Sequence, residues 1–138
     1  MRSQKFFDSR IITVWIIGSF SRIPRWPRRS WRAGRPTRDP LPRADVLLCR
    51  DALVHLSFAD IRRVLRNVRA SGTAYLLTTT FPGHAVNEDI VSGDWRLLNL
   101  EHAPFAFPPP RALIVEGCTE GSGRFADKSL ALWRVEDL

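Results

Sequence analysis

An open α/β sheet is the fold class this sequence predicts, and three observations predict it. Residues 44–50 (ADVLLCR) form a short apolar run, residues 57–72 carry a helical apolar stripe, and residues 73–81 (TAYLLTTTF) are rich in β-branched and aromatic types. Strand, helix and strand in that order make the right-handed crossover unit of a parallel sheet. Two later apolar runs, 112–116 (ALIVE) and 129–135 (SLALWRV), flank a glycine-rich stretch. They predict a closing antiparallel hairpin.

The first strand follows a turn-rich DPLPR at 39–43. Val46, Leu47 and Leu48 are continuously apolar, the pattern of a strand buried on both faces. Ser57 is the helix N-cap, and Asp60 three residues on gives an acidic form of the capping box. Phe58, Ile61, Val64, Leu65 and Val68 recur at helical spacing. Arg62, Arg63, Arg66 and Arg69 lie mostly on the other face, where a solvated charge run is the ordinary outcome. Gly72 stops the helix.

Residues 82–110 predict no long element. The segment 88–100 allows one helical turn or a short strand, and FAFPPP at 105–110 predicts extended backbone, since each proline turns its predecessor away from helix. A connection of this length in a small domain is often a functional lid.

The net charge of +7 hides an asymmetry. Residues 1–38 hold ten Lys or Arg and one acid, a charge of +9, whereas residues 39–138 hold eleven and thirteen, a charge of −2. The organised part is therefore mildly acidic. The basicity belongs to a leader whose residues 21–38 carry seven Arg and three Pro. Arg beside Trp26 and Trp31 suits phosphates and stacked bases. An all-Arg, Trp/Pro-rich stretch is also what GC-rich DNA yields in a shifted frame, and a solvated linker is the third reading. Within the leader, residues 11–17 (IITVWII) predict a buried strand ended by Gly18. The absence of a small-residue cleavage site speaks against a secretory signal.

Cys49 and Cys118 are far apart, with no spacing for zinc and no disulfide framework. A reduced, cytoplasmic setting is the expectation. No run reaches the roughly 18 apolar residues of a membrane span.

In open α/β sheets ligands sit at the carboxyl ends of the strands. That rule singles out 49–55 and 79–83. Asp51 and His55 are the candidate general bases there, and Arg50 can hold a carboxylate. An ion pair or cap role for Asp51 and a structural role for His55 are the competing readings. Asn87, Asp94, Trp95, Arg96 and Asn99 form a second cluster on the long connection. It can recognise a substrate, with Trp95 covering an apolar or cationic surface, or anchor the loop. Thr78–Thr80 can hydrogen-bond a ligand at a strand end. EGCTEGSG at 116–123 lacks the lysine and helix of a phosphate-binding loop.

Taken in order, CRDALVHLSFADIRRVLRN, YLLTTTFPG, NEDIVSGDWRLLNLEHAPFAFPPPR, EGCTEG and ADKSLALWR resemble the C-terminal half of a class I S-adenosylmethionine-dependent methyltransferase. The resemblance covers residues 39–138. It implies a partial Rossmann-like sheet in which 44–50 is the fourth strand, 73–81 the fifth, and the hairpin the last two, with the final strand antiparallel. It also implies roles. Cys49 and Arg50 would pass the methionine end of the cofactor, Asp51 and His55 would face the methyl acceptor, and Asp94, Trp95, Arg96 and Asn99 would bind that small molecule. The family's glycine-rich loop and acidic strand end have no counterpart before residue 39. Three expectations follow: a truncated or frame-shifted copy with weak or no activity alone, an unpaired side on the fourth strand, and self-association through that edge. The alternative is a non-catalytic α/β module whose basic leader binds nucleic acid.

Overall fold

A computed structural model describes residues 14–17, 37–38, 40–41 and 43–138. Five strands and one long helix make an α/β fold. The strands are β1 (Val14–Ile17), β2 (Val46–Cys49), β3 (Tyr75–Thr80), β4 (Ala112–Val115) and β5 (Ser129–Arg134). The helix, α1, spans Phe58–Ala70. The sheet order is β1-β2-β3-β5-β4. β2 and β3 are parallel, joined through α1, and β5 runs antiparallel to both its neighbours. The strand–helix–strand unit and the terminal hairpin thus form where the pattern predicts them.

Register explains which side chains enter the core. Leu47, Leu76 and Trp133 form one row across β2, β3 and β5, and Cys49, Thr78 and Ala131 form the next. All six are buried. Against this face α1 buries Ile61, Val64, Leu65 and Val68. The 3-10 turn Leu53–His55 adds Leu53 and Val54.

Three expectations are corrected. The outer side of β2 is not an unpaired edge, because β1 pairs antiparallel along it, Val14 opposite Cys49 and Ile17 opposite Val46. A segment of the basic leader thus completes the sheet. Its other residues up to 36, including 21–36, lie outside the described residues. Second, β2 alternates rather than being buried on both faces. Leu47 and Cys49 are buried while Val46 and Leu48 are half-buried, since α1, the one long helix among the described residues, covers a single face. The exposed apolar edge is instead β4, with Leu113, Ile114 and Val115 at 45%, 58% and 59% exposure.

The third correction concerns the long connection, residues 81–111. It is packed rather than lid-like: Leu98, Leu100 and Phe107 belong to the core. Its backbone is not uniformly extended either, since Ala106 takes a positive φ of 50°. The connection also caps α1. Ser57 Oγ accepts from the Asp60 amide at 3.2 Å as predicted. The reciprocal half of the box does not form, because Ser57 N–H donates to Ser92 Oγ (3.0 Å) and Phe58 N–H to Asp89 Oδ1 (2.7 Å). Three of the orphan donors of this helix end are thereby satisfied, two of them by residues far away in sequence.

Candidate functional site

The carboxyl ends of β2 and β3 lie side by side, and the chain turns sharply there. Asp51 follows β2 with a φ of +53°, and its amide donates to Thr79 Oγ1 at 2.8 Å. That bond fixes the turn and points Asp51 at the hairpin. Lys128, just before β5, places Nζ 2.8 Å from Asp51 Oδ1 and 2.9 Å from Oδ2. Arg50 Nη1 lies 3.4 Å from Asp51 Oδ2, and Arg50 Nε donates to Glu116 Oε1 at 2.7 Å. Lys128 Nζ is 3.9 Å from Glu116 Oε2.

Two cations and two anions thus form one neutral ring. The Glu116 bond holds the Arg50 guanidinium above its usual pKa. Glu116 Oε2 is buried without a hydrogen-bond partner, the one such side-chain atom among the described residues. An acceptor in that state calls for an N–H or O–H donor.

An aromatic trio borders the ring. Phe81 follows β3, and its ring meets Trp95 and Phe125 edge-on at 6.3 Å each, while Trp95 and Phe125 meet at 5.3 Å. Trp95 keeps 45% of its surface exposed. Residues 125–128 tie the trio to the ring: Phe125 joins the rings, Asp127 Oδ2 accepts from Gly83 N–H at 2.8 Å, and Lys128 holds Asp51.

The other predicted site residues divide sharply. The Cys49 thiol is buried in the core, and desolvation pushes its pKa up to about 12 against an opposing hydrogen bond with Thr78. It faces the core, away from any solvent-borne ligand, and is no thiolate nucleophile. His55 Nδ1 lies 2.9 Å from the Asp94 carbonyl. A carbonyl only accepts, so Nδ1 carries the proton, and in the neutral ring Nε2 holds the lone pair. His55 and Asp94 are therefore brought together, but through backbone rather than through two side chains.

Arg96 and Asn99 are committed to the loop's own architecture. Arg96 is buried, and it donates to the carbonyls of Leu53 (3.0 Å), Leu56 (2.8 Å) and Glu88 (3.2 Å). Burial pulls its pKa below the usual guanidinium value, opposed by Asp89. Asn99 donates to the carbonyls of Pro82 and His84, both at 3.0 Å. Its amide donates to Asn87 Oδ1 at 2.8 Å while Asn87 Nδ2 donates back to the Asn99 carbonyl at 2.7 Å. The anchoring alternative describes both residues. Thr78 Oγ1 likewise donates inward, to the Cys49 carbonyl at 2.8 Å.

Glu116, Lys128 and Phe125 are the site residues that sequence reasoning passed over. A signal existed. Glu116 and Lys128 flank the two hairpin strands, where opposite charges face each other, and Glu116 N–H donates to the Lys128 carbonyl at 2.9 Å. The EGCTEGSG loop makes no cradle: the Phe125 ring fills the hollow at Gly121, 2.6 Å from where a Cβ would stand.

No group of three metal-ligating side chains occurs among the described residues, and no described helix is long and apolar enough to cross a membrane. Compared with family models, with curated proteins and with solved structures, the chain matches none.

Proposed function

We propose that the chain is the acceptor-facing part of an S-adenosylmethionine-dependent methyltransferase. The observation that carries the reading is the Arg50–Asp51–Lys128–Glu116 ring at the carboxyl ends of two parallel strands, with an aromatic trio beside it. Ligands of open α/β sheets bind at that edge. The ordered motifs of residues 39–138 and the antiparallel final strand support the same reading.

In this reading Glu116 Oε2 takes a hydrogen bond from the acceptor molecule, and Trp95 covers its apolar side. Asp51 and His55 are the groups able to take a proton. Asp51 is held by Lys128 on both oxygens, so it must exchange that partner to act.

The described residues do not fit the cofactor. Cys49 faces the core, Arg50 is engaged by Glu116, and no glycine-rich turn opens a helix after β2. No methyl-transfer step is therefore assigned to these residues alone. Calorimetry and amide chemical shifts of the full chain with added S-adenosylmethionine test the proposal. The expected result is binding no tighter than about millimolar, with shifts confined to residues 50–55 and 79–83. Micromolar affinity would show that a complete cofactor site exists after all. Shifts absent from both segments would end the methyltransferase reading.

A further inference from the structure

A concave site lies away from the charged ring. It is a groove of about 360 Å³ between the outer face of α1, the loop 104–108 and residues 137–138. That volume suits a small molecule. None of the four ring residues lines it.

Arg62, Arg66 and Arg69 line one side of this groove. They stand at i, i+4 and i+7 on α1, so their guanidinium groups share one face. The described ion pairs engage Arg50, Arg63, Arg111, Lys128 and Arg134, and none engages these three. The acid at the rim, Asp137, is held by Arg111 at 2.9 Å. Arg63 on the same helix differs: it pairs with Asp60 at 2.6 Å and stands outside the groove.

The remaining wall is apolar. Leu65 and Phe107 are buried at its base, and the Phe105 ring lies 5.9 Å from the Arg62 guanidinium carbon. Arg62, Arg66 and Arg69 thus place three cationic side chains at the wall of a hollow with an apolar base. Their identity narrows the anion. Guanidinium forks match the paired oxygens of a phosphate better than an ammonium would. Pro104, Phe105, Phe107 and Pro108 give the groove an apolar wall that suits an aromatic group.

We propose that this groove binds a phosphate monoester carrying a planar apolar group. The site is independent of the methyl-transfer reading. The probe is phenyl phosphate, titrated into the full chain and followed by amide shifts, with inorganic phosphate, benzoate and phenol as comparisons. Phenyl phosphate should saturate at least about tenfold more tightly than any of the three, with shifts in α1 and residues 104–108. Arg66→Gln combined with Arg69→Gln should weaken it about tenfold or more, whereas Arg63→Gln, which removes the same charge from the same helix, should not. If the double Gln variant fails to fold, Arg66→Lys with Arg69→Lys keeps the charge and should still lose affinity by losing the fork. Equal binding by wild type and the groove variants, or equal loss in Arg63→Gln, overturns the proposal. So does tight binding of a single-stranded oligonucleotide with none of phenyl phosphate, which would make the face a polyanion surface.

Discussion

The carboxyl edge of the sheet and the outer face of α1 both gather cations, but only the first gathers anions to match. At the edge, Arg50 and Lys128 stand against Asp51 and Glu116 within one connected set. On the helix, Arg62, Arg66 and Arg69 line a groove whose one acidic side chain, Asp137, already has a partner. Paired charges mainly hold backbone turns together, and removing one member leaves the others uncompensated. Surface charges that no described acid pairs add little to stability and remain available to a ligand. The contrast separates charges that hold one another in place from charges that no described acid engages.

Arg96 gives the largest test of that separation. Its guanidinium is committed to three backbone carbonyls, whereas Arg66 and Arg69 on the helix enter none of the described ion pairs. Arg96→Met should remove three charge-assisted hydrogen bonds and leave the Leu56 carbonyl without its donor, while the Leu53 carbonyl keeps the Leu56 N–H. Urea unfolding should report a loss of about 3–4 kcal/mol. A loss below about 1 kcal/mol would mean that the connection 81–111 is not held by this clamp.

Lys128 comes next. Its side chain is 16% exposed and bridges two carboxylates. Lys128→Met should cost about 2 kcal/mol, because Glu116 then stays largely buried beside Asp51 with Arg50 alone to offset them. Arg66→Gln or Arg69→Gln should stay within about 0.5 kcal/mol of wild type in the same assay. Comparable losses at both places would erase the distinction between the two regions.

The smallest effect concerns the helix cap. Hydrogen bonds from Ser92 and then Arg63 hold the Asp60 carboxyl below its ordinary pKa. A group whose folded pKa is depressed contributes stability that is present above its unfolded value, about 4, and is lost as pH falls through the folded value. Ser92→Ala removes the larger of the two causes. The Asp60 pKa, read from its side-chain carbonyl shift, should then rise toward the ordinary value, and the stability lost between neutral and acid pH should shrink. An unchanged pKa would show that Arg63 alone sets it.

How much of this was readable from the chain depends on the range of the interaction. β2, α1, β3 and the hairpin follow local periodicity, so the apolar runs and Ser57 announced them within a residue or two. The connection did not announce itself. Arg96 and Asn99 are polar types that usually lie on a surface, and their burial depends on carbonyls supplied by residues up to 43 positions away. Periodicity carries no record of such partners. The same limit hid the charged ring, since Asp51 and Lys128 are separated by 77 positions. The groove needed one more thing, the folding of a proline-rich loop against a helix face that the sequence presents as merely solvated.

β5 lies between β3 and β4 in space but follows both in the chain. A growing polypeptide therefore makes the two flanking strands before the strand that joins them. Until residues 129–134 arrive, Leu76 and Thr78 lack one neighbour, Trp133 is not there to fill the core, and the apolar side chains of β4 have no ladder to belong to. Pairing between strands distant in the chain is the kind of contact that slows folding. The sheet is closed by an interior strand, and that strand is the last of the five along the chain.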